Sequence, residues 1–130
     1  KEFFELANSH LTADGVLAYN VMGTFVAWRA DILGAVYKTL KSVFPQVYLF
    51  PAIDSMNVVV IATKNPQLAT LPALQKRALE LAAKRRLTLP TFKARLQSFT
   101  ATPPPTALQS PLLTDNFAPI DGLLSAAVRP

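Results

Sequence analysis

Gln46-Val47-Tyr48-Leu49-Phe50-Pro51-Ala52-Ile53-Asp54-Ser55-Met56-Asn57-Val58-Val59-Val60-Ile61-Ala62-Thr63 decides the fold class. Residues 46–50 and 57–63 are short apolar runs rich in β-branched and aromatic side chains, too short for helices and well suited to strands. The connection between them, residues 51–56, is brief. A parallel crossover needs about a dozen residues or more, so the two strands are expected to pair as antiparallel neighbours.

Upstream, Val16-Leu17-Ala18-Tyr19-Asn20-Val21-Met22 is another short apolar run, expected to be a strand buried on both faces of a parallel sheet. Before it, Phe3, Phe4, Leu6, Ala7 and Leu11 fall near helical spacing, and Asp14-Gly15 supplies the turn. Between this strand and the hairpin, Asp31 can cap a helix whose apolar positions Ile32, Leu33, Val36, Leu40 and Val43 recur at three- and four-residue steps until Pro45. Downstream, residues 71–87 read as an amphipathic helix with Pro72 in its first turn. Its apolar side carries Leu74, Ala78, Leu81 and Ala82. Residues 91–99 read as a further helical piece, and residues 100–111, around Pro103-Pro104-Pro105, as a stiff spacer without helix or ladder bonds. Residues 112–130 follow as a C-terminal segment.

The order helix, strand, helix, strand, strand, helix predicts an α/β chain. It corresponds to the closing half of a Rossmann-like sheet of three strands flanked by helices, with the last pair antiparallel. One partial domain over residues 1–130 accommodates it. With 130 residues and 51% hydrophobic content the chain can bury a core. The opening half of such a sheet is not in the sequence, so Val16 to Val21 would present an unpaired apolar edge, and self-association through it, as a homo-oligomer, is expected.

Composition excludes several chemistries. There is no cysteine, hence no disulfide, thiolate metal site or cysteine nucleophile. His10 is the single histidine and reads as a surface residue rather than part of a metal site. No apolar stretch approaches the ~20 residues of a membrane-spanning helix. The chain opens with Lys1, without a signal peptide, and is read as a soluble, cytoplasmic protein from which something upstream has been removed. The formal charge of +5 includes a basic cluster, Lys76, Arg77, Lys84, Arg85 and Arg86. With no aromatics interleaved, it reads as a solvated helix face rather than a nucleic-acid surface.

Two segments carry a family resemblance. Lys1-Glu2-Phe3-Phe4-Glu5-Leu6, continuing to Gly15-Val16-Leu17-Ala18-Tyr19-Asn20-Val21, resembles the "EFF … L … GGVL" passage of spermidine-synthase-like proteins, with Asp14-Gly15 in place of Gly-Gly. Leu113-Thr114-Asp115-Asn116-Phe117-Ala118-Pro119-Ile120-Asp121 is similar to the closing "LTDD-aromatic-APVD" motif of that family's methyltransferase-like and membrane-fused branch, Asn116 replacing the second Asp. Phe44-Pro45-Gln46-Val47-Tyr48-Leu49-Phe50-Pro51 resembles a third passage lying between them in the family order.

The resemblance implies a methyltransferase-type sheet in a polyamine aminopropyltransferase or S-adenosylmethionine-dependent methyltransferase-like protein. Family members bind S-adenosylmethionine, or its decarboxylated form, at the ends of the first four strands. Those strands are not in this sequence, and its 4 glycines, at 15, 23, 34 and 122, form no Gly-x-Gly turn. No cofactor is therefore expected in this chain, a small-molecule substrate is expected only in the intact parent, and these residues alone are expected to be inactive. A non-catalytic interaction module is the alternative.

The candidate substrate-binding residues are Asp115, Asn116, Thr114 and Asn20. The Asp115 carboxylate could hold a cationic amine or orient a nucleophile; as a turn residue it would instead bond the amides of Phe117 or Ala118. Asn20 stands near the carboxyl end of its strand, where ligands gather in open α/β sheets; it could equally satisfy a loop. Asp54 reads as a turn residue and Asp121 as a helix cap. Trp28 reads either as lining the cleft mouth or as anchoring its loop.

Overall fold

A computed structural model of the chain describes residues 1–25, 30–52, 55–86 and 91–119. The elements are α1 (Glu2–His10), β1 (Val16–Met22), α2 (Ala30–Lys41), β2 (Gln46–Pro51), β3 (Asn57–Thr63), α3 (Leu71–Ala83) and α4 (Phe92–Gln97). The chain is thus α/β with an open three-stranded sheet. Trp28, Asp54 and Asp121 lie outside the described residues.

β2 and β3 form the expected antiparallel pair, with Gln46 opposite Thr63 and Pro51 opposite Val58. The strand order, however, is β1-β3-β2. β3 also pairs antiparallel with β1, Val16 facing Thr63 and Met22 facing Asn57. β1 and β2 therefore run in the same direction, as alternating elements require, but are not neighbours. The physical reason lies in burial: the run Val58-Val59-Val60-Ile61-Ala62 bears the most continuous apolar surface and takes the centre, where both of its edges are hydrogen-bonded.

Side chains opposite one another across a ladder share a face. One face carries Val21, Val58, Val60, Ala62, Val47 and Leu49, all buried. α2 lies across it, touching all three strands, and contributes Ile32, Leu33, Val36 and Leu40, with Phe44 just beyond its end. The stripe inferred from three- and four-residue spacing is this buried face. Asp31 falls within the first turn of α2 rather than before it, where its carboxylate still meets the positive end of the helix dipole. α1 closes one corner through Phe4, whose ring packs edge-on against Tyr19 at 5.7 Å. Lys64 holds the end of α1 by donating from Nζ to the carbonyls of Asn8 and Leu11, each at 3.1 Å.

The other face is bare at the β1 side. Val16 is 57% exposed and Met22 60%, which corrects the expectation that β1 is buried on both faces. Toward β2 the same face is covered: Phe99 packs on Tyr48 and Phe50. α3 packs on α4 and buries none of its residues. It is capped at its start by Thr70, whose Oγ1 accepts from the Ala73 amide, and at its end by Lys84, after which Arg85 takes the left-handed conformation at φ 53°.

Residues 100–111 are folded down rather than extended free. Thr100 forms a bridge with Leu49 on the outer edge of β2. Ala107 and Ser110 donate backbone bonds to Pro104 and Thr106, and Pro104, Ala107 and Ser110 are buried. Lys38 Nζ clamps this turn through the carbonyls of Leu108 (3.1 Å) and Ser110 (2.7 Å). Gly34 permits the approach: a methyl group there would run into the hydroxyls of Thr106 and Ser110 and come within 2.9 Å of the Thr106 carbonyl carbon.

Tyr37 on α2 is buried beside this turn, and desolvation pushes its phenol above the ordinary value. A phenol whose value is raised in the fold contributes stability below the unfolded value, near pH 10, and that contribution is lost as pH climbs through the folded value. The unfolding free energy should therefore fall more steeply above about pH 10 in the wild type than in Tyr37→Phe. Urea titrations of both proteins from neutral to strongly alkaline pH would show it; parallel curves would refute the assignment.

Candidate functional site

Four separate parts of the sequence meet at the outer edge of β1, α2 supplying the floor through Ile32 and Val36. The start of α1 brings Phe3 and Phe4, β1 brings Tyr19, Asn20 and Met22, and the segment after the proline run brings Thr114 and Asp115. They enclose an open cleft of about 500 Å³. Adjacent residues of β1, whose side chains point to opposite faces, both line it. The cleft therefore wraps around the strand edge rather than sitting over one face.

The turn bearing the closing motif is held at both ends and from behind. Thr114 and Phe117 exchange backbone bonds, the Thr114 amide donating to Phe117 O (2.9 Å) and the Phe117 amide to Thr114 O (3.1 Å), which sets Asp115 and Asn116 at the tip. The Leu113 amide donates to Oγ1 of Thr39 on α2 at 2.9 Å, the main-chain nitrogen of Lys1 donates to Leu113 O at 2.5 Å, and the Asp115 amide donates to Oε2 of Glu2 at 3.0 Å. Glu2 is accordingly held below the ordinary carboxylate value, first by its own backbone amide and then by that of Asp115.

Of the four residues singled out in the sequence, Asn20, Thr114 and Asp115 come together in the cleft. Asn116 is exposed beside Asp115 and is not part of the lining. Of the two amides that Asp115 could bond as a turn carboxylate, that of Phe117 donates to Thr114 O. Among the described residues no cation lies within ion-pair distance of the Asp115 carboxylate. Asn20 reaches across the ladder, Nδ2 donating to Asn57 Oδ1 at 3.4 Å. The chemistry available in the lining is the Asp115 carboxylate, the Asn20 side-chain amide and Lys1, whose Nζ is paired with Glu5 at 3.2 Å, set against aromatic and aliphatic walls.

Sequence reasoning missed Thr39 and the role of Glu2. Thr39 had a signal: a hydroxyl on the apolar stripe of α2, fully buried, must find a partner. It donates to Ala35 O (2.7 Å) and accepts from Leu113. Glu2 could not have been found from spacing, since its partner is 113 residues away.

Elsewhere, Arg77 pairs with Glu80 at 3.1 Å on the exposed side of α3, and Lys76, Lys84, Arg85 and Arg86 are exposed. Among the described residues there is no group of three or more His, Asp or Glu placed to hold a metal ion. No helix among them is long and apolar enough to cross a membrane. No protein-family model, curated protein or solved structure matches the chain.

Proposed function

We propose that these residues are the closing portion of a spermidine-synthase-like transferase, and that the cleft at the β1 edge receives the amine that accepts the transferred group. One observation carries the reading: the two segments of family resemblance, far apart in sequence, line the same cleft with Asn20, Thr114 and Asp115. A protonated amine on an aliphatic chain suits it, since the charge would meet the Asp115 carboxylate and the methylenes would lie along Phe3, Phe4 and Tyr19.

In the complete reaction the neutral amine nitrogen forms a bond to the carbon beside the donor's sulfonium. The carbon–sulfur bond breaks, a thioether leaves, and the amine releases a proton. Such a displacement depends on alignment and water exclusion. In this proposal S-adenosylmethionine or its decarboxylated form is held by further strands beyond β1, so the chain alone binds amine weakly and transfers nothing.

Titrating putrescine or spermidine into isotope-labelled protein should shift the amide resonances of Asn20, Thr114 and Asp115. An exposed ion pair is worth up to about 1 kcal/mol, so Asp115→Asn should weaken binding up to about fivefold. S-adenosylmethionine should leave the same resonances unmoved. Absence of amine-dependent shifts would remove the substrate assignment, and saturable S-adenosylmethionine binding would show that the donor site is misplaced. A second reading, a non-catalytic interaction module, is favoured by the open edge of β1.

A further inference from the structure

The hydrogen-bond parity of the sheet identifies which backbone groups of β1 are open. At its two ends the ladder to β3 is continued by Lys64 N donating to Gly15 O (3.3 Å) and Gly23 N donating to Met56 O (2.8 Å). In an antiparallel pair, alternate residues aim both their N–H and C=O at the neighbour. Odd-numbered residues of β1 therefore bond β3, and Val16, Ala18, Asn20 and Met22 direct their N–H and C=O outward. Among the described residues no backbone group meets them. The same logic on the opposite side shows a closed edge: Leu49 of β2 directs its groups outward and both are taken by Thr100, each at 2.9 Å.

We infer that two copies of the chain join β1 to β1, antiparallel across a two-fold axis at Tyr19, to make one continuous six-stranded sheet. The edge fits itself. With the axis at Tyr19, Val16 lies opposite the partner's Met22 and Ala18 opposite the partner's Asn20, so all four outward residues are paired in a single register. No charge meets a like charge. The two most exposed apolar side chains of the strand, Val16 and Met22, cover each other. None of the devices that normally protect a sheet edge is found on β1: it has no lysine, no proline and no bulge. The pairing is isologous and closes at two.

This inference does not depend on the transferase reading, which gives the same edge to another strand of one enzyme; a polypeptide supplying that strand would not dimerise here.

Sedimentation of the whole chain from micromolar to near-millimolar concentration tests it, and a monomer–dimer equilibrium is expected. Ala18→Pro removes only an outward N–H, leaving the β1–β3 ladder its donors, and Ala18→Lys sets an ammonium on the open edge; each should remain monomeric throughout. Because the chain has no cysteine, Tyr19→Cys offers a check independent of those variants. Residues 19 of the two copies face each other as a non-hydrogen-bonded pair, about 4.5 Å apart at Cα. The variant should therefore form a disulfide-linked dimer under mild oxidation, far faster than Val59→Cys on the bare face. A wild type that stays monomeric over the whole range would overturn the inference, as would dimers that persist unweakened in both Ala18 variants, or crosslinking at Tyr19→Cys no faster than at Val59→Cys.

Discussion

Leu40→Ala is expected to destabilise the chain by about 2–5 kcal/mol, the cost of removing buried methyl groups and leaving a cavity that the surroundings only partly refill. Leu40 is fully buried. It lies on the one helix that spans all three strands, among Leu33, Phe44, Leu49 and Val60. The α2 face holds the large buried cluster, while the other face is covered only toward β2, so this layer carries most of the hydrophobic stabilisation. Against a total of about 5–15 kcal/mol for a domain of ordinary stability, the loss would leave a large part of the population unfolded at moderate urea. The midpoint should fall with the slope nearly unchanged. A midpoint equal to that of the wild type would mean that the α2–sheet layer is not the core.

Thr39→Val is expected to have the second largest effect and a more local one. The substitution keeps the shape and deletes the oxygen that accepts the Leu113 amide. That donor, on a half-buried segment, would lose its partner at a cost of about 1–3 kcal/mol. The helix itself should survive, since the bond from Thr39 to Ala35 O duplicates an acceptor already used by the helix ladder. The consequence should fall on the turn. Amide exchange at Thr114 and Phe117 should accelerate while Val58 and Val60 remain protected, and putrescine binding should weaken with the turn's order. Thr39→Ser, which keeps the oxygen, should restore both. Uniform acceleration across the sheet would indicate a general core role for Thr39 instead of a positioning one.

Local structure was legible wherever a short apolar run was bracketed by turn residues. The bounds of β1 and β3 follow from Gly15 and from Asn57, the hairpin from the brevity of its connection, and the buried face of α2 from its spacing. The position of β3 between β1 and β2 was not legible, because strand order is decided by total burial across the sheet and no local pattern encodes it. For the same reason the apolar run of β1 suggested burial on two faces, while Val16 and Met22 are in fact exposed.

Three of the four candidate residues, singled out for their types and places at a strand end and in a motif-bearing turn, line one cleft. Asn116 shares the turn but is exposed and does not line the cleft, a distinction composition does not carry. What fastens the turn, Glu2 and Thr39, depends on contacts spanning 113 and 74 residues, and such pairs leave no trace in spacing.

The most direct measurement is residue-resolved amide exchange along β1 at a concentration low enough for the monomer. Leu17, Tyr19 and Val21, bonded to β3, should be protected, while Val16, Ala18, Asn20 and Met22 should exchange close to the rate of open backbone. Equal protection of both sets in the monomer, or protection of the even-numbered set alone, would contradict an open β1 edge and the cleft built around it.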